Sequence, residues 1–201
     1  MTVHTSDNRR RIIRAALTAA IAAPAVALGA VPAAAQSTTD AGSASDDIRW
    51  CRSDDFKIIE NTRGAAAGTV YIEFAMIRIG GEGEANKPRQ EPCLLDDRFG
   101  VHWIDDYQGD RVGAWAEYTE PNREPFVLEP EGVALMTLAQ PSHGNYDPEV
   151  CEPSRVAGIQ VYLGFHETGG GVYAPTGGKD TVCANPDVGA PRIHSVVKSP
   201  Y

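Results

Sequence analysis

What this 201-residue chain lacks narrows it quickly. It has no Cys-x-x-Cys, no His-Glu-x-x-His and no Gly-x-Ser-x-Gly. The local signatures of a zinc ribbon, a dithiol redox site, a zinc protease and a hydrolase elbow are therefore missing. No segment keeps a 3.6-residue period for three turns without Gly or Pro, which argues against long amphipathic helices. Beyond residue 35 no apolar run approaches the roughly 20 residues of a helical membrane span. Aromatic residues make up only 7% of the chain, so most of them are expected in the core or at sheet edges. There is no cysteine before Cys51, which removes a lipid-modified cysteine near the start.

The first 35 residues have a different character. Arg9-Arg10-Arg11 leads into Ile12-Ile13-Arg14 and then a long Ala-rich stretch ending in Ala33-Ala34-Ala35. A basic start, an apolar middle and a small-x-small end form the layout of an export signal, here of twin-arginine or ordinary secretory type, with cleavage expected after Ala35. Pro24 and Pro32 interrupt the apolar run, so a permanent anchor is not expected. Residues 36–47 are small and polar and are expected to form a disordered linker. Residues 48–201 are expected to form one domain, long enough for a real core.

Charge sets a further bound. The first 35 residues hold four of the 18 basic residues and one of the 27 acidic ones, leaving 14 against 26 and a net charge of −12. Such a field repels nucleic acid and anionic lipid. No nucleic-acid partner and no membrane span are expected for the mature chain.

Alternation with period two marks the strands. Val70, Ile72, Phe74 and Met76 share one face; so do Ile159, Val161, Leu163 and Phe165, with Gln160 and Tyr162 opposite. Val133, Leu135 and Thr137 oppose Ala134, Met136 and Leu138. Shorter strands are expected over 56–60, 101–104, 112–117 and 193–198. Gly, Pro, Asn and Asp clusters lie between them, at 80–83, 108–110, 120–122, 129–132 and 169–171. Seven or eight short strands separated by turns predict an all-β fold, a single antiparallel immunoglobulin-like β-sandwich.

Cys51, Cys93, Cys151 and Cys183 are an even set. In an exported chain that favours two disulfides over metal or catalytic roles. Four cysteines allow three pairings. Cys51–Cys93 with Cys151–Cys183 is favoured because each bond ties neighbouring parts of the chain, and each would stabilise by roughly 3–4 kcal/mol in the chain-entropy model.

The order of several short motifs resembles a secreted actinobacterial family, the domain of unknown function 4232. The motifs are Cys51 with Gly64-Ala65-Ala66-Ala67-Gly68, then Cys93-Leu94-Leu95, then Gly109-Asp110-Arg111-Val112-Gly113. They continue with Leu128-Glu129-Pro130-Glu131-Gly132 and Cys151-Glu152-Pro153. The resemblance covers about residues 50–198. It departs from the family at Arg78-Ile79-Gly80-Gly81, at Asp96-Asp97-Arg98-Phe99-Gly100 and at the inserted Glu131. It implies an all-β fold and an extracellular setting, and it transfers no site residues.

Candidate sites are few. Asp96-Asp97 and Asp105-Asp106 with Asp110 would need to meet at one end of the fold to hold calcium. They lack the Asp-x-Asp-x-Asp-Gly spacing, so a solvated acidic rim is the expectation. His102, His143, His166 and His194 are scattered, and Ser142 and Ser154 have no elbow around them. Pro175-Thr176-Gly177-Gly178-Lys179-Asp180 fails as a phosphate loop, since Tyr173 stands at the first glycine and Asp180 at the Ser/Thr position. A flexible, solvent-facing loop is expected over Gly169–Gly178. No catalytic residue, metal or cofactor is assigned.

These readings point to a non-enzymatic binding or structural module at the cell envelope or outside the cell. Its partner would be an unknown protein or a cell-wall ligand, and its oligomeric state is left open. Binding loops would be 80–92, 105–110, 142–151 and 167–179. The alternative is a secreted inhibitor of an extracellular hydrolase, with 141–153 beside Cys151 as its presenting loop.

Overall fold

A computed structural model describes residues 48–79, 91–96, 98–119, 124–164 and 170–200. The expected export signal and linker, the expected turns at 80–83 and 120–122, Asp97, Phe165 and His166 lie outside them. The described chain is all-β, with mostly antiparallel sheets and two disulfides. Among the described residues no helix is long and apolar enough to cross a membrane.

The first sheet begins with a hairpin. Strands β1 (Phe56–Ala66) and β2 (Thr69–Arg78) pair antiparallel from Phe56↔Arg78 to Ala66↔Thr69. The turn is only Ala67 and Gly68, at φ 48° and 77°. Two positive-φ residues give the turn whose twist matches that of the flanking strands. Of the Gly64-Ala65-Ala66-Ala67-Gly68 motif only the last two residues turn, because Gly64, Ala65 and Ala66 stay in the ladder. Strand β1 also runs well past Glu60. Its far half is exposed, so no apolar alternation marks it.

Seven further strands and two short helical turns follow before the last two strands. They are β3 (Cys93–Leu95), β4 (Phe99–Ile104), β5 (Arg111–Val112), β6 (Glu117–Tyr118), β7 (Phe126–Leu128), β8 (Val133–Pro141) and β9 (Pro153–Leu163). A 3-10 turn, His143–Asn145, and the one-turn helix α1, Pro148–Cys151, join β8 to β9. Asp147 caps α1 by accepting from the Glu149 N–H at 2.9 Å, and Pro148 opens it. Strands β10 (Val172–Cys183) and β11 (Arg192–Lys198) complete the order.

The five-stranded sheet runs β1-β2-β8-β11-β6, with only the β11–β6 pair parallel. The four-stranded sheet runs β10-β9-β4-β5, and β3 pairs with β7 in a small third sheet. One apolar core draws on both large sheets. Ile72, Phe74, Met76, Met136 and Leu138 come from the first, and Val101, Trp103, Ile159, Val161 and Leu163 from the second. Each such buried side chain contributes about 1.5–3 kcal/mol by leaving water. The alternating faces expected in β2, β8 and β9 are the faces that pack.

The expected strand over 112–117 is two strands in different sheets. The chain leaves the four-stranded sheet after Val112 and joins the five-stranded one at Glu117. Gly113 makes the break at φ 71°, where a Cβ would stand 2.4 Å from the Cys183 carbonyl oxygen. At this edge Tyr118 donates its hydroxyl hydrogen to the Phe99 carbonyl of the opposite sheet. At the other edge the Arg63 guanidinium on β1 pairs with Asp180 on β10 at 2.5 Å and with Glu60 at 2.8 Å. Both edges are thus tied across the layers.

The expected flexible loop over Gly169–Gly178 is corrected in its described part. Strand β10 starts at Val172 and continues to Cys183, interrupted by an irregularity between Pro175 and Asp180. Ala174 and Val182 anchor it in the core. Gly177 and Gly178, at φ 75° and 65°, make that irregularity. A glycine-rich, Pro-containing run reads as loop, yet a bulged edge strand tolerates both residue types.

Candidate functional site

Cys51 is bonded to Cys93 and Cys151 to Cys183. The first bond fastens the entry segment to β3, beside a pair of backbone bonds between Cys51 N and Leu94 O and between Leu94 N and Arg49 O, both 2.9 Å. Near it, Arg49 pairs with the fully buried Asp55 at 2.6 Å, and the Arg52 N–H donates to Asp55 at 2.9 Å. Burial alone would push the Asp55 carboxyl up, but these bonds hold it below its ordinary value. The second bond joins α1 to the end of β10.

The remaining expected sites separate. Among the described residues no three His, Cys, Asp or Glu side chains converge as metal ligands. Asp96 is engaged by the Arg98 guanidinium. Asp105, Asp106 and Asp110 lie in the β4–β5 hairpin loop, where Gly109 N–H donates to Asp106 O at 2.9 Å. His143 lies in the 3-10 turn, His194 packs edge-on to Tyr71, and Ser142 accepts from the Gly144 N–H. The segment 141–153, the inhibitor loop of the alternative reading, is coiled into the 3-10 turn and α1. Lys179 and Asp180, the end of the phosphate-loop look-alike, pair with Glu60 and Arg63. A depression of about 420 Å³ over Glu60, Arg63, Thr176 and Lys179 is thus walled by charges that match each other. The Arg63 guanidinium beside Glu60 and Asp180 is held more firmly protonated, and Glu60 is pulled below its ordinary value by Arg63.

A different surface gathers chemistry, and it is the outer face of the four-stranded sheet. Val101 and Trp103 point inward on β4, so His102 points outward; Ile159 and Val161 do the same for Gln160 on β9, and Ala174 for Tyr173 on β10. Register then puts Tyr173 opposite Gln160 and Gln160 opposite His102, one row across three strands. The next row pairs Tyr162 with Gly100. Gly100 leaves room for the Trp115 indole, whose Cζ3 would lie 3.1 Å from a Cβ there.

The rings interlock. Trp115 meets His102 edge-on at 4.4 Å between centroids, and His102 stacks with Tyr162 at 5.8 Å. The Arg111 guanidinium lies 5.6 Å from the Trp115 centroid, a cation–π distance. At the other end Tyr107, from the hairpin loop, meets Tyr173 edge-on at 5.3 Å. Between these rings runs a groove of about 330 Å³, lined by His102, Tyr107, Gln108, Gln160, Tyr162 and Tyr173 with Ile104 and three glycines. Tyr107 is 62% exposed and Trp115, just beyond the groove, 44%.

His102 has a defined state. Its Nδ1 lies 3.0 Å from the Trp103 carbonyl oxygen, which can only accept. Burial, with the Arg111 charge adding to it, pushes the ring's pKa down against the opposing pull of that bond. Burial thus favours the neutral ring, and with its hydrogen on Nδ1 toward that carbonyl, Nε2 is left as an acceptor. Gln160 adds an amide that both donates and accepts.

Two of the expected binding loops, 105–110 and the described part of 167–179, supply Tyr107, Gln108, Tyr173 and the three glycines of this groove. Gln160 and Tyr162 stand opposite the core, as the alternation predicts, whereas Trp115 is one aromatic that is neither buried nor in a strand. Cross-strand register, which brings β4, β9 and β10 together, is not written in any one segment. Residues 85–195 match the family model described as a domain of unknown function (DUF4232). No curated protein and no solved structure matches the chain.

Proposed function

The chain belongs to the DUF4232 family, and from that premise we propose that it is an exported, disulfide-braced binding module acting at the cell envelope or outside the cell. Its binding surface is the outer face of the four-stranded sheet. The observation that carries this is the aromatic groove between Tyr107, Tyr173, Tyr162 and His102. Partly exposed rings around a few polar groups are the ordinary makeup of a small-molecule site, and roughly 300–1,000 Å³ is its usual size. Among the described residues the groove lining has no carboxylate, thiol, serine or lysine, which favours binding over catalysis. Two disulfides suit an oxidising compartment, and the Arg-led, Ala-rich first 35 residues suit export.

The test is capture from the producing cell's wall fraction and culture fluid with the immobilised full chain. A double variant, Tyr107→Ala with Gln160→Ala, serves as the comparison. The expected result is material retained by the natural chain and lost by the variant, with both giving the same near-UV circular dichroism. Equal retention by the two would refute the assignment of this face.

A further inference from the structure

This inference rests on the binding face just described and names its ligand class. We propose that the groove takes a neutral carbohydrate, a short oligosaccharide whose ring lies against Tyr107 and Tyr173 and whose hydroxyls meet His102 and Gln160.

Charge comes first. Among the described residues the lining carries no formal charge: it has one imidazole, the Gln160 and Gln108 amides, tyrosines and small or apolar residues. The loop that forms one wall also bears Asp105, Asp106 and Asp110, so an anionic ligand approaches a negative rim. The whole chain carries −9, which adds to that repulsion. A nucleotide, a phosphorylated peptide and an acidic sugar are all disfavoured. Arg111 sits over the Trp115 ring and is not among the groove-lining residues.

Shape and polarity come next. A volume of about 330 Å³ is small for a macromolecular contact. A stable protein–protein interface needs about 1,200 Å² or more of total buried surface. Tyr107 and Tyr173 meet edge-to-face at 66° and form an aromatic corner in the groove wall. A pyranose offers such a corner a face of C–H bonds, slightly positive, against the negative π-cloud. The same molecule carries hydroxyls around its rim. Nε2 of His102 accepts from one of them, and the Gln160 amide can donate to one and accept from another. Gly171 keeps that amide free to reach the groove, since a Cβ there would lie 2.8 Å from Gln160 Cγ and Nε2. A purely apolar ligand would leave both polar groups dry and unpaired, which costs affinity.

Calorimetric titration of the full chain tests this. Probes are tri-N-acetylglucosamine, cellotriose and mannotriose as neutral sugars and trigalacturonate as the anionic control. A printed array of neutral and anionic glycans extends the range. The expected result is saturable binding of at least one neutral glycan, with trigalacturonate at least 10-fold weaker. Tyr107→Ala and Gln160→Ala should each weaken binding about 10-fold or more while leaving the near-UV spectrum unchanged. Binding that survives both substitutions, an anionic preference, or no neutral glycan bound across the array would each overturn the proposal. If wall capture still depends on Tyr107 and Gln160 while no neutral glycan binds, the ligand class is wrong and the face stands. If capture is also independent of these residues, both readings fall.

Discussion

Replacing Gln140 by leucine should destabilise the fold through a group on the opposite sheet. Gln140 lies on β8 and Trp103 on β4, and the indole Nε1–H donates to Gln140 Oε1 at 2.6 Å inside the core. The Gln140 amide donates in turn to the Pro141 and Gly189 carbonyl oxygens, both at 3.0 Å. Gln140→Leu keeps the volume but strands the indole N–H, and an unmade buried hydrogen bond costs about 1–3 kcal/mol. The two carbonyls lose a donor as well, so a loss of about 2–3 kcal/mol is expected, toward the upper end of that range. Trp103→Phe strands Gln140 Oε1 and opens a cavity, which is a separate loss of about 1–3 kcal/mol. In the double variant neither partner is left waiting for the other. The two losses should therefore fall short of additive by about 1–2 kcal/mol. Urea unfolding of the four proteins under non-reducing conditions measures the cycle, provided the m-values agree. Additivity within about 0.5 kcal/mol would show that the bond does not couple the sheets and would refute the reasoning.

Two further predictions concern the frame that holds the groove. The Cys151–Cys183 bond spans 32 residues, so Cys151→Ala with Cys183→Ala should cost about 4 kcal/mol in urea unfolding, and a loss below about 1 kcal/mol would contradict a bracing role. Asp55 is held below its unfolded value near 3.8 by Arg49 and the Arg52 N–H. Its contribution is therefore complete above that value and is lost as pH falls through the lower folded one. Asp55→Asn should cost about 2–3 kcal/mol at pH 7, less than a fully buried pair because Arg49 is partly exposed, and should flatten the acid limb of stability against pH. An acid limb as steep in the variant as in the natural chain would rule Asp55 out as its source.

How much of this could be read in the chain divides along physical lines. Period-two alternation marks a strand only where one face is buried and the other is not. It therefore located β2, β8 and the inner half of β9, through Ile72, Phe74, Met136, Leu138, Ile159 and Val161. It missed the exposed half of β1 and the whole of β10, where Pro175, Gly177 and Gly178 look like loop. It joined β5 to β6 because Val112 and Glu117 flank residues of ordinary strand composition. Only the approach of Gly113 to the Cys183 carbonyl shows why the chain must turn there. The groove was legible in pieces, as outward-facing Gln160 and Tyr162 and as the expected binding loops 105–110 and 167–179. Its assembly depends on register across three strands and on a hairpin loop carrying Tyr107 to Tyr173, and those are non-local facts.

The role assigned to the outer face of the four-stranded sheet is tested most directly by amide chemical-shift mapping. The isotope-labelled full chain would be titrated with a solubilised wall fraction from the producing cell. Shifts are predicted at His102, Gln160, Tyr162 and Tyr173 and in the loop around Tyr107, with Tyr71, His194 and Val197 on the five-stranded sheet unmoved. Shifts gathered around Tyr71 and His194, with the Tyr107 loop silent, would contradict the account.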